Sequence, residues 1–220
     1  MTEQVWWKGS RFDPRTVDML REAEELCGLD LRPSQGSWSG AAASAGTHSG
    51  CGAYDGGIGM SADQMDRAVV ALRTVGFAAW RRTSAQGFTP HVHAIAVQPG
   101  GKGDRGCLSG GAHDQVVDYY ENRNGLASNL PDDGPRDWVG VTWEKYREES
   151  EMANRDSAVF FQKDGKRYVG YPYSGVYRHI PSPAVENDTK TVFDRMGVPW
   201  REWAEGKDVA NPAAFGVLID

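Results

Sequence analysis

Eight of the chain's 27 glycines fall between Gly36 and Gly59, and a segment so rich in glycine favours neither a long helix nor a packed strand. Glycine makes up about 12% of the 220 residues, against about 7% in ordinary proteins. The backbone there is either shaped around something or loosely organised, and the chemistry-bearing side chains of the chain begin inside it. Periodic apolar segments lie on both sides. Asp13 is placed to cap a helix that starts at Pro14, carries Val17, Leu20, Ala23 and Cys27 on one face and ends at Gly28. Ser61 and Gln64 read as a capping box ahead of Met65, Val69 and Leu72, a second helix that stops near Gly76. A third is predicted from Ser109 through Val116, Val117 and Tyr120 to Asn124-Gly125, where glycine can adopt the left-handed conformation.

Between these helices lie short apolar runs of strand formers, Phe77 to Trp80 and Val92 to Val97, the latter bounded by Pro90 and by Pro99-Gly100-Gly101. Helices interspersed with such runs predict an α+β fold: a central, mostly antiparallel sheet with flanking helices. The turn residues of Asn129 to Pro135 mark a boundary loop. The expected division is a catalytic domain over residues 1–150 and a small β-rich module over 151–220. In the second part, Lys163-Asp164-Gly165-Lys166 between Val159 to Gln162 and Arg167 to Gly170 predicts a hairpin, followed by a helix-like stretch from Lys190 to Met196. Phe160, Phe161, Tyr168, Tyr171, Tyr173 and Tyr177 form a plain aromatic core there, or an exposed binding face if alternate residues point outward. Most of the eight tryptophans are expected in the core, Trp203 among them.

Charge and hydropathy exclude several classes. With 24 Lys+Arg against 30 Asp+Glu and a net charge of −6, the chain lacks the basic field that nucleic acid or an anionic membrane attracts. No stretch approaches the ~18 apolar residues of a membrane span, and the N-terminal residues lack the apolar core of a signal peptide. The expectations are no nucleic acid, no membrane and no export by an N-terminal signal. Cys27, Cys51 and Cys107 are too few for a four-thiolate metal site and odd in number for a closed disulfide framework.

Five histidines are present, and two stand in His91-Val92-His93, which in a strand puts both side chains on one face about 7 Å apart. Upstream, His48 and Asp55 lie seven positions apart, with glycines that let the loop bend both toward one point. Three ligands of the nitrogen and oxygen type suit a catalytic Zn²⁺, which leaves its fourth position open, whereas structural zinc is closed by four, mostly cysteines. One carboxylate leaves such an ion a net charge of +1, enough to activate water and polarise a carbonyl, so hydrolysis is the expected chemistry. Cys51 could be a fourth ligand, a partner for Cys107 or a small residue in a tight loop; we favour the last, because a fourth ligand would close the site. Gln35, Ser37, Ser44 and Thr47 precede His48 on a candidate strand lining the cleft and are candidates for substrate contact. His113 is read as exposed near a helix start, His179 as part of the C-terminal module, and Asp114, Asp118 and Glu121 as solvated helix charges. Asp132 and Asp133 are adjacent in a turn, which argues against a glycosidase pair.

The stretch from His48 to Asp55 followed by His91-Val92-His93 resembles the zinc peptidases that share the fold of D-Ala-D-Ala carboxypeptidases, lysostaphin-type endopeptidases and the hedgehog signalling domain. Their motif runs H-x-x-G-x-A-x-D and later His-x-His. Carried over, it makes His48, Asp55 and His93 the zinc ligands, matches Ala53 to the motif alanine and leaves His91 as the catalytic, non-ligand histidine. Cys51 stands where the motif has Gly, and Gly46 where Ser commonly precedes the first His by two. Pro90 occupies the place of the Glu in the Glu-x-x-His of the carboxypeptidase branch, so the His-x-His endopeptidases are the closer analogue. The block from Ser34 to Arg136 is also similar to a group of actinobacterial and actinobacteriophage proteins, through GTHSGCGAYD, GFAAWRR, HVHAIAV and NGLASN. The resemblance implies zinc on a central antiparallel sheet, peptidoglycan stem peptides or cross-bridges as substrate, and a phage lysin or virion component as context, with other virion proteins as partners. It would act from the host cytoplasm on the wall, or from the virion. Protonated His91 would stabilise the oxyanion, with the proton acceptor unassigned. The rival expectation is an inactive virion structural or attachment protein that retains the fold.

Overall fold

Asp13 caps the first helix, α1 (Pro14–Cys27), its carboxylate accepting from Thr16 N at 2.9 Å, and Gly28 closes it in the left-handed conformation at φ 63°. The computed structural model describes residues 2–39, 46–155, 158–171, 176–196, 198, 200–202 and 217–219. The chain divides into two units, Met1–Tyr146 and Arg147–Asp220. The first opens with a hairpin of β1 (Val5–Trp7) and β2 (Ser10–Phe12) ahead of α1, followed by β3 (Pro33–Gln35) and β4 (Ala53–Gly56). Next come α2 (Ala62–Thr74), with the Ser61/Gln64 capping box in place, β5 (Phe77–Arg82), β6 (His91–Ala96) and α3 (Gly110–Tyr120), and α4 (Trp143–Arg155) begins in the unit's last four residues. No described helix is long and apolar enough to cross a membrane.

Four strands form an antiparallel sheet in the order β3-β4-β6-β5. One face carries Tyr54, Phe77, Ala79, Val92, Ala94 and Ala96 against the apolar stripes of α1 and α2. The other carries Ala53, Ala78, Trp80, Ile95 and Val97 against Ala112, Val116 and Tyr119 of α3. Strand alternation therefore puts Asp55, Arg82, His91 and His93 on the α3 face. The run Asn129 to Pro135 belongs to this unit, because Asp132 accepts two bonds, of 2.9 and 3.0 Å, from buried Arg73 and a third, of 2.7 Å, from Arg136.

Three expectations are corrected in this unit. The third helix ends at Tyr120, short of Asn124-Gly125, because Asn122 takes the left-handed turn at φ 61° and Arg123 N bonds back to Asp118 O. The candidate strand through Ser37 and Thr47 is confined to Pro33–Gln35, Thr47 lies in a 3-10 turn, and Ser44 is outside the described residues. His113 is half-buried on α3, with its Nε2 unpartnered.

Cys51 is not a lone small residue in a tight loop: it forms a disulfide with Cys107, the Cα atoms 5.5 Å apart, while Cys27 is free. The approach is set by the backbone, with Cys51 N donating to Cys107 O at 3.1 Å. A Cβ on Gly50 would meet Ser109 N at 2.5 Å, which is why glycine is needed there. The bond closes a loop of 56 residues, for which chain entropy gives about 4 kcal/mol. The Cys51→Ser/Cys107→Ser double variant is expected to lower the stability of this unit by about 2–4 kcal/mol, read as faster amide exchange across β4 and β6. Unchanged exchange would contradict a stabilising crosslink.

The second unit pairs β7 (Ala158–Lys163), β8 (Lys166–Tyr171) and β9 (Val176–Ile180) antiparallel, through the predicted hairpin, with Asp164 at φ 50° and Gly165 at φ 72° in its turn. β10 (Trp200–Glu202) and β11 (Val217–Ile219) add in parallel at the two edges. The helix, α5 (Pro183–Met196), starts seven residues before Lys190, Ser182 Oγ accepting from Val185 N at 3.3 Å. Phe160 and Phe161 are both fully buried, on opposite faces, Phe160 against Phe193 and Trp200, Phe161 against Tyr168 and Tyr177. This is the aromatic-core arrangement; Tyr173 and Trp203 lie outside the described residues, as does the side chain of Tyr171. His179 is exposed on β9.

Buried Glu186 on α5 accepts from Arg167 at 2.5 and 2.8 Å and from Lys190 at 2.6 Å, and the Arg167 bond above all holds its carboxyl down to about 2. Because the folded value lies below the unfolded one of about 4.3, the stabilisation is complete above about pH 5 and lost as pH falls through about 2. It is worth about 2 kcal/mol once screening at the part-exposed partners is allowed for. Glu186→Gln should therefore remove that part of the acid sensitivity of β8 and α5 in amide exchange; an identical pH profile in the variant would reject the assignment.

Candidate metal centre

Asp55 on β4 and His93 on β6 are direct cross-strand partners, so their side chains rise side by side from the α3 face. His48 reaches the same point from the 3-10 turn Thr47–Ser49, which the disulfide at Cys51 and the bond from Ser109 Oγ to Thr47 O at 3.0 Å fasten to the start of α3. His48, Asp55 and His93 form a group whose ligand atoms all lie within 4.8 Å of one another and that could hold a metal ion.

The hydrogen bonds made by the far side of each ring decide which nitrogens face inward. His48 Nδ1 lies 2.9 Å from Gly36 O; a carbonyl only accepts, so Nδ1 carries the proton and the neutral ring presents an Nε2 lone pair. That Nε2 is buried, has no hydrogen-bond partner and stands 3.2 Å from Asp55 Oδ2. His93 Nε2 lies 2.7 Å from Gln115 Oε1, and the Gln115 amide is oriented by its own donation to Gly125 O at 2.9 Å. His93 Nε2 is therefore a donor, so that in the neutral ring Nδ1 carries the lone pair, facing Asp55 Oδ1 at 2.5 Å. Two acceptor nitrogens aimed at one carboxylate form an arrangement that a cation between them satisfies. In tetrahedral zinc geometry the donors stand about 3.4 Å apart; the His48–Asp55 separation of 3.2 Å is close to this, and the His93–Asp55 separation of 2.5 Å is shorter.

Protonation states agree with this. Burial pushes the His93 imidazole below its ordinary value, against the pull of Asp55, which favours the neutral ligand form. Asp55 meets an opposing burial effect, yet its closeness to His48 and His93 holds its carboxyl well below the usual range, so it is ionised. Trp80, the register partner of His93 on β5, stacks on its ring at 6.0 Å and 19°.

The centre sits in a cleft of about 310 Å³ whose walls include Gln35, Thr47, Arg82, Thr89, His91 and Gln115. Of the other sequence candidates, Gln35, Thr47 and His91 therefore line it. Ser37 does not: it is buried, and its hydroxyl donates to Ala53 O at 3.2 Å. His91 Nδ1 donates to Thr89 O at 2.6 Å, which leaves its Nε2 turned toward the centre, 3.7 Å from Asp55 Oδ1. Arg82 and Gln115 were not anticipated. Arg82 was within reach of sequence reasoning, since alternation from Trp80 places it on the same face, whereas Gln115 depends on how α3 docks. Compared with protein-family models, curated proteins and solved structures, the chain matches none of them.

Proposed function

We propose that the protein is a zinc-dependent hydrolase of peptide bonds in bacterial peptidoglycan, acting as a phage lysin or virion-borne enzyme. The observation that carries this reading is the convergence of the His48 Nε2 lone pair, the His93 Nδ1 lone pair and the Asp55 carboxylate at one wall of an open cleft. The same donor types also serve non-haem iron; the sequence resemblance to zinc peptidases favours zinc, and elemental analysis distinguishes the two. When bound, the ion supplies Lewis acidity, polarising a carbonyl and lowering the pKa of water. The remaining work falls to the chain. Gly36 O and Gln115 hold the two imidazoles in their ligand tautomers, and Asp55 contributes the charge. His91, its Nδ1–H fixed on Thr89 O, in neutral form offers Nε2 to accept a proton from water. Once protonated it donates to the oxyanion that develops on the carbonyl.

A second reading, an inactive virion attachment protein retaining the fold, is favoured by one observation: among the described residues lining the cleft, Asp55 is the sole carboxylate, so no acidic residue is left to act as base. The test is metal content of the purified protein, followed by release of new amines from purified peptidoglycan. About one zinc per chain with amine release is expected. One zinc without release on several wall types selects the second reading, and absence of any metal overturns the centre.

A further inference from the structure

Among the described residues, two arginines are buried beside this sheet, and the chain treats them differently. Arg73 is compensated in full: both oxygens of Asp132 accept from its Nη2 at 2.9 and 3.0 Å, Ala79 O accepts from Nε at 2.9 Å, and Pro135 O accepts from Nη1 at 2.5 Å. Arg82 is 2% exposed, yet its guanidinium makes one bond, from Nη1 to Asn124 O at 2.7 Å. Its Nη2 is buried without a partner, and among the described residues it forms no ion pair. Asp55 and Asp132 act on it only across space, and a guanidinium taken from water without a contacting carboxylate is strongly unfavourable unless something else supplies one. The two differ in place: Arg73 lies against the Asp132–Pro135 loop, away from the cleft, whereas Arg82 lines the cleft, opposite His91 in register and on the same face as Trp80. The Trp80 ring, 5.1 Å from the guanidinium carbon, and Asn124 O hold the fork in position.

We propose that Arg82 is the receptor for a carboxylate of the substrate, so that the cleft selects a peptide bearing a free carboxylate close to the bond presented to His48, Asp55 and His93. This rests on the peptidase reading for the identity of the substrate. A carboxylate fits the planar fork of a guanidinium, and a cleft of about 310 Å³ stands at the small end of ligand sites. It suits a short terminal segment better than the middle of a long chain. Loss of this contact weakens binding, since the carboxylate would enter the cleft without its partner.

The test compares a panel of N-acetylated stem-peptide fragments with free C-terminal carboxylates against the same peptides as C-terminal amides. Binding to the full chain is followed by calorimetry, with zinc and after chelation. Wild type should bind the acids about 10- to 100-fold more tightly than the amides, in both metal states. The metal-free arm separates Arg82 from a carboxylate binding the ion. Arg82→Gln should abolish the preference and Arg82→Lys should keep part of it. Equal binding of acids and amides by wild type, no binding of either across the panel, or an undiminished preference in Arg82→Gln would overturn the inference. The wild-type comparison decides even if a variant fails to fold. Zinc and amine release without carboxylate preference would leave the peptidase reading standing alone; an Arg82-dependent preference in a protein that holds no metal would do the reverse.

Discussion

His93→Ala is expected to take the metal content of the purified protein from about one ion per chain to none after dialysis. Structural zinc sites with four protein ligands bind with about 10–16 kcal/mol of apparent free energy, which apportions to about 3 kcal/mol for each ligand. Losing one of three therefore weakens binding about 100-fold or more. The loss exceeds that simple share here, because His93 also organises the centre. Its Nδ1 faces Asp55 Oδ1, its Nε2–H anchors on Gln115, and its ring stacks on Trp80. Gln115→Leu gives the graded comparison: the ligands all remain, but the tautomer and orientation of His93 are no longer enforced, so affinity should fall about 10- to 100-fold while the metal is still detectable in excess. Elemental analysis of dialysed protein, beside a thermal melt to verify folding, reads both. Retention of one equivalent by folded His93→Ala would remove His93 from the ligand set.

The two parts of this centre differ in how far sequence could reach them. His48, Asp55 and His93 are legible because their chemistry is rare in the chain and their spacing is local: a His and an Asp joined by a glycine-rich turn, and a histidine pair at strand period. Capped helices are legible for the same reason, as Asp13-Pro14 and Ser61/Gln64 act within one turn. What escaped depends on contacts between distant segments. The crosslink from Cys51 to Cys107, one of three readings the sequence leaves open for Cys51, spans 56 residues, and nothing near either cysteine selects it. The early end of α3 turns on Asn122 adopting a left-handed conformation that Gly125 would have been the safer guess for. β1, β2, β3 and β10 are three residues each, too short for alternation to register. α4 is charged or polar at most of its positions, so its sequence reads as a solvated segment. Gln115 and Arg82 acquire meaning only when α3 and β5 are placed on the same sheet face.

His91→Ala should leave the metal in place and lower turnover on peptidoglycan by about 100- to 10,000-fold, the range for removing a general acid–base group. The distinction from His93 rests on geometry. Both histidines stand on β6, two residues apart and on one face, yet their rings are held differently. His93 is locked between Gln115 and Asp55 with its inward nitrogen at 2.5 Å from the carboxylate, whereas His91 Nε2 stands off at 3.7 Å with its other nitrogen tied to Thr89 O. A nitrogen at that remove from the ligand carboxylate is placed to exchange a proton with water or substrate in the cleft. The deficit should therefore fall on kcat, with KM little changed, because His91 acts on charge that develops only in the transition state. Unchanged turnover would dismiss His91 from the chemistry. Loss of metal together with turnover would make it a fourth ligand, closing the site on the protein side and shifting the balance toward the attachment-protein reading.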